Sequence, residues 1–314
     1  MIVKPENMDF SAQRFSMIIY GPPGVGKSTL ALSAPNPVLI DFDRGISRVK
    51  AEHRKDTMVC ETFEDVLADI SSPEMSAYET VIIDTGGSFI TLLKDYAVRQ
   101  GFSTKSGDIS LKGFGEVAKQ FDSFTNTIKV VMNKNIIYVF HSNESADKDG
   151  NPLQRLVCEG KVRNTVWTPC DFGGYVQMIG DRRFICFTPE QEFFAKGCHG
   201  INGKYEIPVL KPGDKNNFVT NLFDAAKANI KAENDGFKKI REDYEKVMVN
   251  VNEILDAVET AEDLTHAIEV LPNLPHVLTS KKEASAMLKD KAKAMNCTYD
   301  KEKKCYVSNE EPAE

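Results

Sequence analysis

Eight consecutive residues, Gly21-Pro22-Pro23-Gly24-Val25-Gly26-Lys27-Ser28, satisfy the spacing G-x-x-x-x-G-K-[ST] in full. Each residue type has a physical reason to be there. Gly24 and Gly26 let the backbone wrap so that successive N–H groups converge into an anion nest. A helix opening near Lys27 adds its positive end. Lys27 supplies a point charge for the β- and γ-phosphates, Ser28 offers a hydroxyl to Mg2+, and Thr29 follows at the α-phosphate end. The loop therefore predicts a site for a nucleoside triphosphate, ATP, with Mg2+.

Polar residues at the ends of apolar runs supply the remaining chemistry. Thr80–Ile83 (TVII) runs into Asp84, a carboxylate suited to orienting Mg2+ beside a phosphate loop, so the metal residues are Ser28 and Asp84. Pro37–Ile40 (PVLI) runs into Asp41-Phe42-Asp43, two acids of which one can position the attacking water. Ile136–Phe140 (IIYVF) ends in His141-Ser142-Asn143-Glu144, where polar groups can sense a γ-phosphate. The candidate catalytic residues are Lys27, Asp84, His141 and one of Asp41 and Asp43.

These residues need a scaffold that brings several strand ends together. Ser16–Tyr20 leads into the phosphate loop, and Thr57–Cys60 is a further short strand. Helical patterns cover Thr62–Ile70, Phe89–Arg99 and Phe114–Met132. Strands alternating with helices predict an α/β fold, a largely parallel sheet with helices on both faces. Past Trp167 the pattern becomes short strands, Tyr175–Ile179, Phe184–Phe187 and Phe193–Ala195, with a hairpin at Gly180-Asp181. Leu210-Lys211-Pro212-Gly213 reads as a boundary. The helical patterns after it are Asn217–Ala232, Gly236–Val258, Ala261–Leu271 and Lys281–Met295, the last opened by a Ser280…Glu283 capping box. The expected division is a core over residues 1–213, a small helical C-terminal module over 214–307 and a disordered acidic tail over 308–314. Seven scattered cysteines with no C-x-x-C pair read as buried thiols.

Taken in order, the motifs resemble the RecA-like P-loop ATPases, above all the phage-encoded "AAA domain" nucleotide-binding proteins allied to RecA-type recombinases and single-strand annealing proteins. The resemblance covers roughly residues 12–210. It implies a RecA-like ATPase, with LIDFD placing the catalytic acid on Asp43, TVIIDT the Mg2+ acid on Asp84, and IIYVFHSNE the sensing strand. The family more often has Glu at the first of these positions, and RecA proteins typically have Gln at the last. It also implies two DNA-binding loops, here Gly101–Gly113 and Ser145–Lys161. The phosphate loop is similar to that of AAA+ ATPases too, but those usually carry Asp-Glu at the Mg2+ strand, and here Thr85 follows Asp84.

The loops contain Lys105, Lys112, Lys148, Arg155 and Lys161, with Arg163 just beyond, as nucleic-acid candidates, and Phe102 and Phe114 as stacking candidates. Lys161 or Arg163 would alternatively reach a neighbouring subunit's γ-phosphate. The net charge of −7 argues at first against nucleic acid, but most of it falls beyond Gly213, so a local single-stranded DNA site is compatible with it. The expected protein is a cytoplasmic, Mg2+-dependent ATPase, homo-oligomeric, assisting recombination, annealing or replication on single-stranded DNA, with no membrane partner. Two alternatives stand beside it: an AAA+-like ATPase that remodels or loads a protein partner through its C-terminal helices, and a nucleotide-sensing interaction protein with negligible turnover.

Overall fold

The computed structural model describes residues 8, 10, 12–146, 148–158 and 162–309. Contacts divide the chain into two compact units, one spanning Asp9–Ile230 and the other built on Lys231–Glu314.

The first unit is an α/β sandwich around one sheet. Its strands are β1 (Ser16–Gly21), β2 (Pro37–Asp41), β3 (Thr57–Met58), β4 (Thr80–Asp84), β5 (Asn135–Ala146), β6 (Pro152–Leu156), β7 (Phe172–Ile179), β8 (Arg182–Cys186) and β9 (Lys204–Ile207). Its helices are α1 (Lys27–Ala31), α2 (Phe63–Ile70), α3 (Gly86–Arg99), α4 (Leu111–Asn126), α5 (Val162–Trp167) and the first part of α6 (Phe218–Asp256). The strand order is β3-β2-β4-β5-β1-β7-β8-β9, with β6 paired to β5. All pairings from β3 to β7 are parallel. β8 and β9 continue the sheet antiparallel, and β6 folds back antiparallel on the outer half of β5.

Side-chain alternation explains the layers. On β1, Ile18 and Tyr20 enter one core cluster while Met17 and Ile19 enter the other; on β5, Tyr138 and Phe140 face the first and Ile137 and Val139 the second. The first cluster is closed by Phe63 of α2, Phe89 of α3, and Phe121 and Phe124 of α4, whose rings meet Tyr138 and one another. The second is closed by Leu30 of α1 and by Val219, Leu222, Phe223, Ala226 and Ile230 of α6. Phe223 lies between Phe15 at 5.1 Å and Phe172 at 6.0 Å between ring centroids. Strands buried on both faces read as continuous apolar runs, which is why the central ones were legible in the sequence.

Several elements differ from expectation. β3 stops at Met58, and β5 runs on to Ala146 because β6 pairs with its polar half. Phe193–Ala195 is not a strand: Phe193 and Lys196 make only isolated bridges, and β9 completes the sheet instead. α4 begins at Leu111, capped by the Ser110 hydroxyl, which accepts from the Gly113 N–H. The two expected helices across 217–258 are one, α6: no proline interrupts them, and Gly236 alone costs only ~1 kcal/mol. The division between units also falls inside α6, beyond the turn at Gly213, since its first turns carry core residues.

The second unit has its own core. The later part of α6 packs with α7 (Ala261–Val270) and α8 (Ser280–Ala294) through Val247, Val251, Leu255, Leu264, Ala267 and Leu288. A hairpin the sequence reading missed, β10 (Cys297–Asp300) with β11 (Cys305–Ser308), completes it, so the unit is not purely helical. The Ser280…Glu283 capping box does not form. Ser280 Oγ accepts from the Val277 N–H, and Glu283 accepts from the hydroxyls of Thr279 and Tyr244. Capping boxes occur instead at Thr62/Asp65 and Thr260/Asp263. Residues 310–314 of the expected tail lie outside the described residues. No described helix is long and apolar enough to cross a membrane.

Candidate functional site

Parallel pairing brings the carboxyl ends of the strands to one edge of the sheet. In register, Gly21 of β1 stands opposite His141 of β5, and Asp41 of β2 opposite Asp84 of β4. The chain leaves β1 toward β2 on one side, while β7 lies on its other side. The phosphate loop therefore opens at the point where strand order reverses, where open α/β sheets form their crevice. A cavity of about 510 Å3 lies there, lined by Gly24, Gly26, Lys27, Ser28, Asp43, Asp84, Thr85 and His141 among others.

The loop has the predicted conformation. Gly24 and Gly26 sit at φ 80° and 86°, the left-handed region that favours glycine. Gly21 is needed for a different reason: a Cβ there would stand 2.3 Å from the Val176 carbonyl oxygen of β7. A Cβ on Gly26 would meet the Arg183 guanidinium at 2.5 Å, so a residue of β8 braces the loop from outside. Pro23 and Thr29 line the cavity as well; Pro22 contributes its carbonyl oxygen, which accepts from Lys27 Nζ at 2.7 Å. Lys27 is buried, and that burial pushes its ammonium down to about 8, with Asp84 opposing the shift. A lysine folded onto its own loop and short of solvent is ready to turn toward an anion, since a phosphate would restore the charged state that burial disfavours.

Asp84 and Thr85 are buried. Burial pushes the Asp84 carboxyl up; the Ser28 hydroxyl beside it opposes this, and the nearby Asp41 and Asp43 add to it. Ser28 and Asp84 thus offer two hard oxygen donors in one cavity, the set Mg2+ takes while keeping several waters.

The two acids of LIDFD have separate jobs. Asp41 is buried and accepts from the N–H groups of Gly45 at 2.9 Å and Ile46 at 2.8 Å, so it anchors the turn that follows β2. Asp43 is exposed to the cavity and accepts from Ser88 Oγ at 2.7 Å and Thr85 Oγ1 at 3.4 Å. The hydroxyls at the start of α3 hold it in place at the edge of the phosphate cavity. His141 stands at the rim; partial burial, then Lys27, hold its imidazole below the usual value, and Asp43 opposes them. It is neutral at pH 7 and able to donate or accept one hydrogen bond.

The nucleic-acid candidates are not gathered here; none of them lines the phosphate cavity. Lys105 sits in a tight turn closed by the Thr104 N–H donating to the Asp108 carbonyl at 2.7 Å, and Lys112 is in the first turn of α4; both are exposed. Phe102 packs against the first core cluster and is not a free stacking platform, and Lys94 lies 5.8 Å over the Phe114 ring. Lys148 is exposed in the β5–β6 turn, and Arg155 is on β6, half-buried. Arg163 donates to the Cys158 carbonyl at 3.2 Å, which ties it to its own loop. Lys161 lies outside the described residues. The sequence reading passed over Arg48. It lines the phosphate cavity from a turn that follows β2, and its only sequence signal is a position five residues past Asp43. Of the cysteines, 60, 158, 170, 186 and 297 are buried, and no group of three or more His, Cys, Asp or Glu among the described residues is arranged to hold a metal ion.

A parallel sheet, a phosphate loop at its switch point and an acid on a neighbouring strand end define a P-loop nucleotide-binding domain of the ATPase kind. A family model described as "AAA domain" matches residues 13–199, more than half of the chain, and the chain belongs to that family. No curated protein matches it. Among solved structures it is similar to a prototypical ATPase from the type III secretion system of pathogenic bacteria, with 13% identity, 52% of each chain covered and a TM-score of 0.35. The chain spans about half the length of that protein.

Proposed function

We propose that the protein is a Mg2+-dependent, RecA-like ATPase whose nucleotide-bound form engages single-stranded DNA during recombination, annealing or replication. The observation that carries the ATPase part is Asp43. It is held by Ser88 at 2.7 Å in the cavity that also contains Lys27, Ser28 and Asp84. The neighbouring strand β4 ends in Asp84-Thr85, with no second acid of its own. That pattern favours a base on the adjacent strand, as in RecA-like enzymes, over the Asp-Glu arrangement of AAA+ proteins.

In this reading the backbone N–H groups of the loop and Lys27 hold the β- and γ-phosphates. Ser28 and Asp84 would hold Mg2+, which neutralises phosphate charge when bound. Asp43 orients a water and takes its proton as the water oxygen bonds to the γ-phosphorus. The bond from that phosphorus to the β–γ bridging oxygen breaks, its electron pair leaves with ADP, and the proton passes on to phosphate or solvent. His141, one strand away, responds to loss of the γ-phosphate and is continuous along β5 with the β5–β6 hairpin bearing Lys148 and Arg155. That continuity supports hydrolysis-coupled release of DNA, with Lys105 and Lys112 as further contacts and a homo-oligomer as the working form.

The test is ATP turnover with and without single-stranded and duplex DNA. Stimulation by single strands, lost in Lys27→Ala, is expected. Binding of single-stranded DNA in the presence of ATP-γ-S should weaken steadily with salt. Turnover unchanged in Lys27→Ala overturns the catalytic part, and salt-independent or absent DNA binding overturns the DNA part.

A further inference from the structure

We propose that Arg48 is a catalytic arginine supplied by the chain to its own site, contacting the γ-phosphoryl group of the bound nucleotide. The inference rests on the ATPase reading above and deepens it. Arg48 closes a short 3-10 turn, Gly45–Arg48, that follows β2 directly. The turn is braced from both ends. At its start the Asp41 carboxylate accepts from the N–H groups of Gly45 at 2.9 Å and Ile46 at 2.8 Å. Behind it Arg54 donates to the carbonyls of Ser47 and Val49, each at 2.9 Å. Ile46 and Val49 anchor the same turn in the second core cluster. Its one long cation is left facing the phosphate cavity, where Arg48 shares the lining with Lys27, Ser28, Asp43, Asp84 and His141.

The neighbours of Arg48 show why it stands where it does. Arg44, four residues earlier, pairs with Glu61 at 3.7 Å outside this cavity. No ion pair or hydrogen bond engages the Arg48 guanidinium among the described residues, although Asp43 lies in the same cavity. Its field reaches His141, at the end of β5, two strands from β2. A planar guanidinium that shares a cavity with two carboxylates and a lysine matches the oxygens of a γ-phosphoryl group. There its two parallel N–H groups bind best as charge moves onto the equatorial and bridging oxygens in the transition state. Because the turn belongs to the same sheet as the loop, this arginine acts in cis. Lys161 and Arg163 are then not required as cations lent by a neighbouring subunit.

The experiment uses the full-length protein with Arg48→Ala, Arg48→Lys and Lys27→Ala, each checked for an unchanged melting temperature. It measures binding of ADP and of ATP-γ-S, and single-turnover hydrolysis of ATP. The expected result for Arg48→Ala is ADP affinity within twofold of wild type, ATP-γ-S affinity about tenfold weaker and hydrolysis about 100- to 1,000-fold slower. Arg48→Lys should recover ATP-γ-S affinity more than rate, since a point charge replaces the fork. Mixing Arg48→Ala with Lys27→Ala distinguishes cis from trans: turnover stays lost if the arginine serves its own site. Wild-type turnover in Arg48→Ala, equal loss of ADP and ATP-γ-S, or recovery on mixing each overturns the proposal. A wild-type chain that binds neither nucleotide removes the ATPase reading itself and the arginine's role with it. A chain that binds both and is indifferent to Arg48 removes only the latter.

Discussion

At the scale of single residues, the site is organised by burial as much as by contact. Lys27 has its ammonium pushed down to about 8 by burial, and nucleotide needs the charged form. The bound phosphates raise that value again, so affinity is complete below about pH 8 and falls as pH rises through and beyond it. ATP-γ-S binding is expected to be about tenfold weaker at pH 9 than at pH 7, measured by isothermal titration. Lys27→Arg, whose guanidinium does not titrate in this range, should flatten the slope. Asp43 faces the cavity and is oriented by Ser88 and Thr85. Asp43→Asn keeps an oxygen that can accept from Ser88 but cannot take a proton, so hydrolysis should drop about 100-fold or more with ADP affinity unchanged. Equal rates for the two proteins would mark this chain as a nucleotide sensor and not a hydrolase. The phosphate loop and Asp84 were legible in the sequence because their chemistry is local: glycines, a lysine and a hydroxyl at fixed spacing. That Asp41 instead anchors the turn after β2 was not, because only the folded turn shows its carboxylate accepting from the Gly45 and Ile46 N–H groups.

At the scale of elements, the short turn between β2 and β3 has more influence on the site than its length suggests. Asp41 holds its first two N–H groups. Asp41→Ala is expected to cost about 1–3 kcal/mol, read from urea unfolding, and to loosen Asp43 and Arg48 together, so that turnover falls further than stability alone explains. The sheet imposes a second constraint at Gly21, where β1 and β7 lie too close for a side chain. Gly21→Ala should force the two strands apart and lower nucleotide affinity and thermal stability together. The central strands were readable because residues buried on both faces leave continuous apolar runs. β9 and the outer half of β5 were not, since their residues are mixed in polarity and give no continuous apolar run. The β10–β11 hairpin was missed because its two four-residue strands are joined by four charged residues, Lys301-Glu302-Lys303-Lys304, with no strong apolar run.

At the scale of the whole molecule, α6 is the element that links the two units through the chain, and its first turns belong to the nucleotide-binding unit. Phe223 fills the space between Phe15 and Phe172. Phe223→Ala is expected to destabilise that unit by about 3–5 kcal/mol, seen as a lower melting temperature with the phosphate loop untouched. A chain ended at Gly213 would lose Val219, Leu222, Phe223, Ala226 and Ile230 from the core and should fail to melt cooperatively, whereas one ended at Ala232 should retain a cooperative transition and nucleotide binding. If the shorter chain proves as stable as the longer, the α6 turns are not part of that core. The sequence by itself determined the phosphate loop, the parallel α/β character and the acid at the end of β4, because backbone conformation, strand burial and a short motif are all set by neighbours along the chain. Tertiary structure alone decided that Asp41 is spent on the turn after β2, that Arg48 shares the cavity, and that the boundary falls within α6. Each of these depends on strand order and helix packing between segments far apart in sequence, and on long-range burial that no local pattern records.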